Sequence, residues 1–493
     1  MPGENIQDWS TTAATNATAD TLINWAEGQP RASVNNSARS MMAAHAKNRN
    51  LLNGSITTGG TANAQTFTSG VTYTTVPTGL TVRLKVGVTN TGATTLNMDS
   101  IGAVAIKDQS GNDIGANALL LNRYVDLLYD GTNWILLSAS GAATAPFDAL
   151  AFSGMQINGA MEISQEKGTT ATAFTSNHIV DGWIAVKSGT MVTSGQQVAD
   201  APVGYTNSLK VTVSTAQAVL GIGDYTIIAQ KIEGFRSSRL QFGTANAQSV
   251  SIGFWTKIHR VGSYSGSLRN AADNRSYGFT FTQNVADTWE YKTVTIPGDT
   301  SGTWIGNTNG VGLLLSFCMA AGTAFTNTAN VWTAASLIGV TSTTNGVAAT
   351  TDTFQITGVI VLPGADLPAA TRAPFIMRSY DQELLICKRY FQQSFVINSN
   401  DGVGGGMAVV LYSTRAASSG VWPVEMRAAP SLTTYSPSTG ATGNLWFPGI
   451  ADVAMSSVPS VTAKGWGAFF DAPTSMLPIG QTGVFNWRVD ARL

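Results

Sequence analysis

Leu80-Thr81-Val82-Arg83-Leu84-Lys85-Val86-Gly87-Val88 alternates apolar and polar side chains without a fault. Successive side chains of an extended chain point to opposite faces, so a strict period of two marks a strand with one dry face and one wet face. Downstream, Val125 to Tyr129 and Asn133 to Leu137 flank Asp130-Gly131, a dipeptide suited to the tight turn of a hairpin. These segments predict a small β module over residues 57–140.

Working toward the N-terminus, the pattern changes. Residues 1–32 are polar and turn-rich and carry two aromatic side chains, Trp9 and Trp25, so they cannot form a core alone. One helix follows at about 33–53: Ser33, Asn35 or Asn36 can cap it, Val34, Ala38, Met41, Met42, Leu51 and Leu52 recur at helical spacing, and Gly54 can end it. The apolar stripe either packs on its own domain or bundles with copies of itself. Residues 1–56 therefore read as an N-terminal anchoring segment, with Trp9 and Trp25 suited to dock in a partner.

Toward the C-terminus, Ser138 to Pro146 reads as an Ala/Ser/Gly linker. Beyond it, strands are expected at Gly182 to Val186, Ser208 to Val213, Tyr225 to Ile232, Val250 to Ile258, Tyr277 to Thr282, Trp289 to Ile296, Gly312 to Met319 and Thr353 to Val361. Eight strands with hardly a helical period predict a two-sheet sandwich of jelly-roll type over 147–372. Tyr380 to Tyr390 is compatible with a short helix that aligns Leu384, Cys387 and Phe391. Residues 373–493 read as a smaller C-terminal β domain, the tip. The fold class is thus mainly β: a modular, elongated fibre with one N-terminal helix, a small β module and two β-sandwich domains.

Composition supports folding and narrows function. Only 12% of the 493 residues are charged, yet 43% are hydrophobic, with 12 Trp, 19 Phe and 12 Tyr, which is ample surface to bury. The net charge of −1, with no basic run longer than Lys388-Arg389, lacks the electrostatic footprint of a nucleic-acid binder. No stretch approaches a membrane span, and Met1 to Trp9 has neither the basic region nor the apolar core of a signal peptide. Two cysteines, Cys318 and Cys387, sit in apolar runs and read as buried thiols, which fits assembly in a reducing host cytoplasm.

Several segments resemble those of bacteriophage tail fibres. Asn24-Trp25-Ala26-Glu27-Gly28-Gln29 with Val34-Asn35-Asn36-Ser37-Ala38-Arg39 resembles the start of such proteins. Asn90 to Asn97 with Tyr129 to Trp134 resembles a repeated shaft pattern. Gln156 to Gln165, Asp181-Gly182-Trp183, Gln230 to Gly234, Ile252 to Lys257 and Glu383 to Phe391 are similar to fibre jelly rolls of carbohydrate-binding type. Met426 to Pro430 and Asp490 to Leu493 resemble the ends of these proteins. The resemblance implies attachment to tail or adaptor proteins through the N-terminus, a homotrimer, and recognition of a host cell-surface glycan or protein by a virion component. A similar fold is not by itself a sugar site.

Trp304, Trp332, Trp422, Trp446 and Trp466 lie outside clear strand alternation and are candidates to stack on a sugar face. The alternative is that each closes a sandwich edge or a subunit interface. No catalytic, metal or cofactor set is legible. His45, His178 and His259 are not spaced for a metal, and His178 with Asp181 suggests at most a turn contact. Gly402, Gly404, Gly405 and Gly406 read as loop glycines. A polysaccharide depolymerase would need two carboxyls across one glycosidic bond. Glu233, Glu290 and Asp352 are the acids near strands, and solvation of a strand end is the favoured reading of each. A depolymerase borne on the fibre, or a head fibre or decoration protein, are the other readings.

Overall fold

A computed structural model describes residues 6–71, 73–137, 154–395, 405–457, 460–472 and 479–493 of the chain. The expected linker at 138–146 and the loop glycines Gly402 and Gly404 lie outside the described residues. The chain divides into two compact units, Met1–Thr144 and Ala145–Leu493. The contacts therefore group the N-terminal segment with the small β module, and the jelly roll with the C-terminal strands.

In the first unit, helix α1 spans Arg31–Leu52, and Gly54 follows it at φ +76°, a left-handed conformation that glycine adopts without a side-chain clash. Its stripe is split. Ser37, Ala44 and Leu51 are buried, Leu51 among the β core, while Val34, Met42 and Leu52 stay exposed. The helix thus packs on its own unit through one face. Ser37 explains how the preceding segment is held: its hydroxyl accepts the Asn24 N–H at 2.9 Å and donates to the Asn24 carbonyl at 3.1 Å.

The β module is one eight-stranded sheet. Its order is 56–57, 81–85, 124–129, 134–136, 103–107, 95–98, 64–67 and 59–61. In Thr81–Lys85, Val82 and Leu84 are buried and Arg83 exposed, as the alternation requires. The hairpin forms between Tyr124–Tyr129 and Trp134–Leu136; Gly131 takes φ +104°, and the Asp130 carboxylate accepts the N–H groups of Thr132 and Asn133. Phe67, Leu80, Val82, Leu84, Leu96, Met98, Leu127 and Trp134 fill the core.

The second unit opens with the sandwich. A seven-stranded sheet runs in the order 176–180, 183–188, 225–233, 311–321, 262–269, 276–283 and 332–333. The facing six-stranded sheet runs 290–296, 250–258, 353–363, 208–215, 192–198 and 172–173. All eight expected strands are present, with ends shifted by at most a few residues. Trp183, Ile228, Ile252, Phe254, Tyr264, Phe279, Phe317 and Phe354 meet between the sheets. A helical turn, α2 (Gly234–Ser237), interrupts the sandwich, and α3 (Tyr380–Lys388) leaves it. Helix α3 forms where a short helix was expected; Cys387 and Leu384 pack with Ile157, Ile163 and Tyr390, whereas Phe391 already belongs to the next strand.

Residues 391–490 build a second β body around the strand Thr482–Asp490. Its first half pairs with Gly406–Tyr412 and touches Asn444–Phe447, while its second half pairs with Phe391–Gln393 and Ser431–Tyr435. One strand serves both sheets, a way of turning a corner between packed layers. Both cysteines are buried and free. Among the described residues, no helix is long and apolar enough to cross a membrane.

Candidate functional sites

The five candidate tryptophans fall into three places. Trp304 and Trp332 come together at one edge of the sandwich, ring centroids 5.5 Å apart, and both meet Phe242 edge-on at 4.9 and 5.8 Å. Their indole N–H groups donate to the carbonyls of Ser301 and Pro297. Trp422 and Trp466 lie 4.8 Å apart beside Trp487 in the C-terminal body. Trp422 is 5% exposed and gives its N–H to the Thr462 carbonyl, so its ring is committed to that core. Trp446 stands apart on Asn444–Phe447, opposite Asp452. Trp304, Trp332, Trp446 and Trp466 are half-buried and keep part of a ring at the surface.

Four of the segments that carry the fibre resemblance, Gln156 to Gln165, Asp181 to Trp183, Gln230 to Gly234 and Glu383 to Phe391, converge on one seam between the sandwich and the C-terminal strands. Trp183 donates its indole N–H to the carbonyls of Ile157 and Asn158, both at 3.1 Å, and the Gln230 amide clasps Ile157 from both sides. The Asn158 N–H donates to Glu383 at 2.7 Å, and Arg378 holds the other oxygen of that carboxylate at 3.1 Å. Glu233 accepts two bonds from Arg389 and one from the Tyr390 hydroxyl, at 2.7, 3.1 and 2.6 Å. Burial pushes the Glu233 carboxyl up, but the Arg389 and Tyr390 bonds outweigh it and hold the pKa below the usual range. Gln165 bridges onward, donating to Phe391 and accepting from Gln393. Farther along, Arg492 reaches Glu166 at 2.6 Å, and Arg427 exchanges bonds with Asn309.

Sequence reasoning missed Glu166, Arg378, Glu383, Arg389, Arg427 and Arg492. A signal existed: in a chain so poor in charge, Glu383, Arg389, Arg427 and Arg492 fall inside the very segments that resemble those of fibres. A buried charge demands a partner, and this scarcity makes each one conspicuous.

The acids near strands are all occupied. Besides Glu233, Asp352 accepts two bonds from Arg260 and the Ala349 N–H. Burial raises the Glu290 carboxyl, but Lys292 and the N–H groups of Val285 and Asn284 pull its pKa down to about 2. The acid pushed well upward is a different one: burial lifts Asp181 to about 6 although Gln165 donates to both of its oxygens. His178, buried near Arg492, is pulled down to about 3. His45 meets the Trp9 ring at 5.6 Å and His259 bonds Asp287 at 2.8 Å. Among the described residues, no three metal-ligating side chains gather.

In the first unit, Trp9 and Trp25 line one cavity of about 490 Å³ together with Ile23, Met41, Asp20, Glu27 and the small residues between them. The walls are backbone-pinned: Trp25 N–H donates to Ala17 at 2.8 Å, Ser10 N–H to Asn16 at 2.7 Å, and the Trp9 indole N–H to Asp20 at 3.4 Å. The two aromatic side chains singled out for attachment therefore border the same cavity.

No protein-family description matches the chain, and no curated protein does. Among solved structures, the chain is similar to the enzymatically active domain of tailspike protein 4 of bacteriophage CBA120, at 12% identity over 43% of this chain, with a TM-score of 0.24. The match spans 22% of that tailspike. It is also similar to the family 11 carbohydrate-binding module of the Clostridium thermocellum cellulase Lic26A-Cel5E, at 10% identity over 41% of this chain and 99% of the module, TM-score 0.21. The module TmCBM61, solved with β-1,4-galactotriose, matches at 11% identity over 43% of this chain and 98% of its own, TM-score 0.22.

Proposed function

We propose that the chain is a non-enzymatic structural component of a phage virion, a tail fibre assembled in the bacterial cytoplasm and mounted through residues 1–56. Its β bodies beyond residue 147 meet a host cell-surface glycan or protein and mediate adsorption. The observation that carries this reading is the use made of the fibre-like segments. Gln156 to Gln165, Asp181 to Trp183, Gln230 to Glu233 and Glu383 to Phe391 spend their polar groups on one another, clasping two β bodies into one unit. Such a seam suits a part that transmits load and holds a receptor surface steady. Glu233, Glu290 and Asp352 are each neutralised by a cation, which suits structure better than proton transfer.

Antibody raised against residues 154–493 and localised on whole virions tests the mounting. Label at the tail is the expected result, and label on the head makes the chain a head fibre or decoration protein. Purified chain should block adsorption of the phage without shortening host polysaccharide. Release of oligosaccharides by the purified chain would make it a depolymerase instead.

A further inference from the structure

One of the five candidate tryptophans borders a notch in the sandwich. Trp304 and Ile305 line one side of a cavity of about 40 Å³, and the buried side chains of Leu240, Phe242 and Leu313 form its floor. Ser238 and Gln241, both exposed, stand at its mouth. Among the described residues, no charged side chain lines it. Its walls are fixed before anything enters: the Gly243 N–H donates to the Asp299 carbonyl at 2.7 Å, the Gln248 N–H donates to the Leu240 carbonyl at 2.8 Å, and Arg275 clamps the Asp299 carboxylate at 2.6 and 2.7 Å.

Size decides how much of a ligand can enter. Sites that enclose a whole ligand begin near 300 Å³, whereas one water occupies about 30 Å³ of liquid, so the notch admits a substituent of roughly three heavy atoms. The body of the ligand stays outside, over the part of the Trp304 ring that remains at the surface. Chemistry decides which substituent. Leu240, Phe242 and Leu313 suit a methyl group. The Ser238 hydroxyl gives its proton to the Phe235 carbonyl at 3.3 Å, which leaves its oxygen to accept a bond. Gln241 uses its backbone on Ser238 and Thr244, and its side-chain amide makes no hydrogen bond among the described residues. That side chain is carried at φ +53°, where glycine would be less strained. A methyl group joined to a carbonyl and an N–H meets all three demands, and a carboxylate would find no cation.

We infer that the notch receives the acetamido group of an N-acetylhexosamine in a host-surface glycan. The methyl group lies against the floor, the Ser238 oxygen accepts the amide N–H, the Gln241 amide donates to the acetyl carbonyl, and the sugar ring rests on Trp304. The glycan as occupant rests on the adsorption reading; the fit of a neutral acetyl amide does not.

The test uses the full chain and ligand-observed NMR with the methyl glycosides of N-acetylglucosamine and N-acetylgalactosamine, each against the methyl glycoside of the parent hexose. The acetamido sugars should bind about tenfold more tightly, with the strongest saturation transfer at the acetyl methyl. Two substitutions spare the fold. A Cβ at Gly306 meets Ser238 no closer than 3.4 Å, an ordinary contact, so Gly306→Ala fills the notch without a clash. It should bring the acetamido sugars down to the level of the hexoses and leave the hexoses unchanged. Gln241→Gly relieves the left-handed residue and should weaken the acetamido sugars about threefold without lowering the melting temperature. Equal binding of the paired sugars overturns the inference, and so does parent affinity in Gly306→Ala. Acetyl-alanine-methylamide binding as tightly as the acetamido sugars gives the notch to a peptide and overturns it too. A chain that discriminates the sugars but does not block phage adsorption sinks the adsorption reading and leaves the notch standing; one that blocks adsorption without discriminating sinks the notch alone.

Discussion

Arg389 and Glu233 close the seam of the second unit face to face: the guanidinium places Nη2 2.7 Å from Oε1 and Nε 3.1 Å from Oε2. The carboxylate is almost wholly buried and the arginine about one third exposed, so the pair lies at the border between protein and water. Two parallel bonds of this kind fix an angle as well as a distance, and lysine cannot reproduce them.

Removing one partner should therefore cost more than a surface ion pair does. Arg389→Ala is expected to destabilise the second unit by about 2–4 kcal/mol, because Glu233 is left buried with the Tyr390 hydroxyl and only the more distant charge of Arg236. Arg389→Lys should recover part of the loss, and Arg389→Ala with Glu233→Gln should be milder than Arg389→Ala alone. Urea unfolding followed by tryptophan fluorescence measures all three. A loss below about 0.5 kcal/mol for Arg389→Ala would falsify the view that this pair holds the seam.

Two titrating groups near the same seam pull stability in opposite directions with pH. His178 refuses a proton until about pH 3 in the folded chain but takes one near 6.5 when unfolded, so its contribution is present above pH 6.5 and is lost as pH falls toward 3. Asp181 binds its proton at about pH 6 when folded and near 3.8 when unfolded, so stability is regained as pH falls through 6. The two partly cancel between pH 6 and 4. His178→Asn should leave the Asp181 effect exposed, giving a second unit more stable at pH 4.5 than at pH 7 by about 1–2 kcal/mol. Urea midpoints at the two pH values decide this, and an unchanged or lower midpoint at pH 4.5 in that variant contradicts it.

Gly266 lies in the middle of the strand Gly262–Arg269, and a Cβ there would come within 2.3 Å of Phe279 and 2.6 Å of the Ser316 carbonyl. The ring can turn, but the carbonyl belongs to the neighbouring strand and is fixed by pairing. Gly266→Ala should cost about 2–3 kcal/mol through overpacking, whereas Gly467→Ala, with open space around its Cβ, should cost far less. Comparing the thermal midpoints of the two variants is sufficient.

The homotrimer suggested by the fibre resemblance has a place to act on α1. Val34, Met42 and Leu52 remain exposed after the helix has packed on its own unit, Met42 at 71%. If copies associate through this face, light scattering of the parent chain gives about three times 51.5 kDa and Met42→Glu returns a monomer. A parent chain that is monomeric at micromolar concentration rules out the trimer for the isolated protein.

How much of this was legible depended on where the pattern was carried. Thr81–Lys85 and Val250–Ile258 could be read because branched and aromatic residues recur there in strand-forming runs. Ser176–Val180, Val192–Val198 and Gly262–Arg269 could not, because serine, glycine, asparagine and glutamine hide the alternation. In Gly262–Arg269 burial is won by pairing instead, as when Ser267 and Ser316 share a hydrogen bond at 2.8 Å between neighbouring strands. The tryptophan clusters were beyond reach for a related reason: Trp304 meets Trp332, and Trp422 meets Trp466, only after segments distant in sequence are brought together by the fold. Trp9 and Trp25 line one cavity, yet nothing in their spacing says that a turn between them folds back to make it.

The strand Thr482–Asp490 also sets a timetable for synthesis. It is the last strand of its body in sequence, yet four others lean on it, among them Phe391–Gln393 at the far end of the same stretch. A ribosome must deliver nearly the whole stretch before any of these four ladders can close, so hairpins such as Gly406–Tyr412 with Arg415–Val421 can form early but cannot be joined into one body until this strand emerges. Contacts this remote in sequence form slowly, and until then Gly406–Tyr412 offers unpaired, largely apolar strand edges to its surroundings. Chains cut short before residue 482 should therefore be lost to aggregation or proteolysis rather than persist as half-built tips.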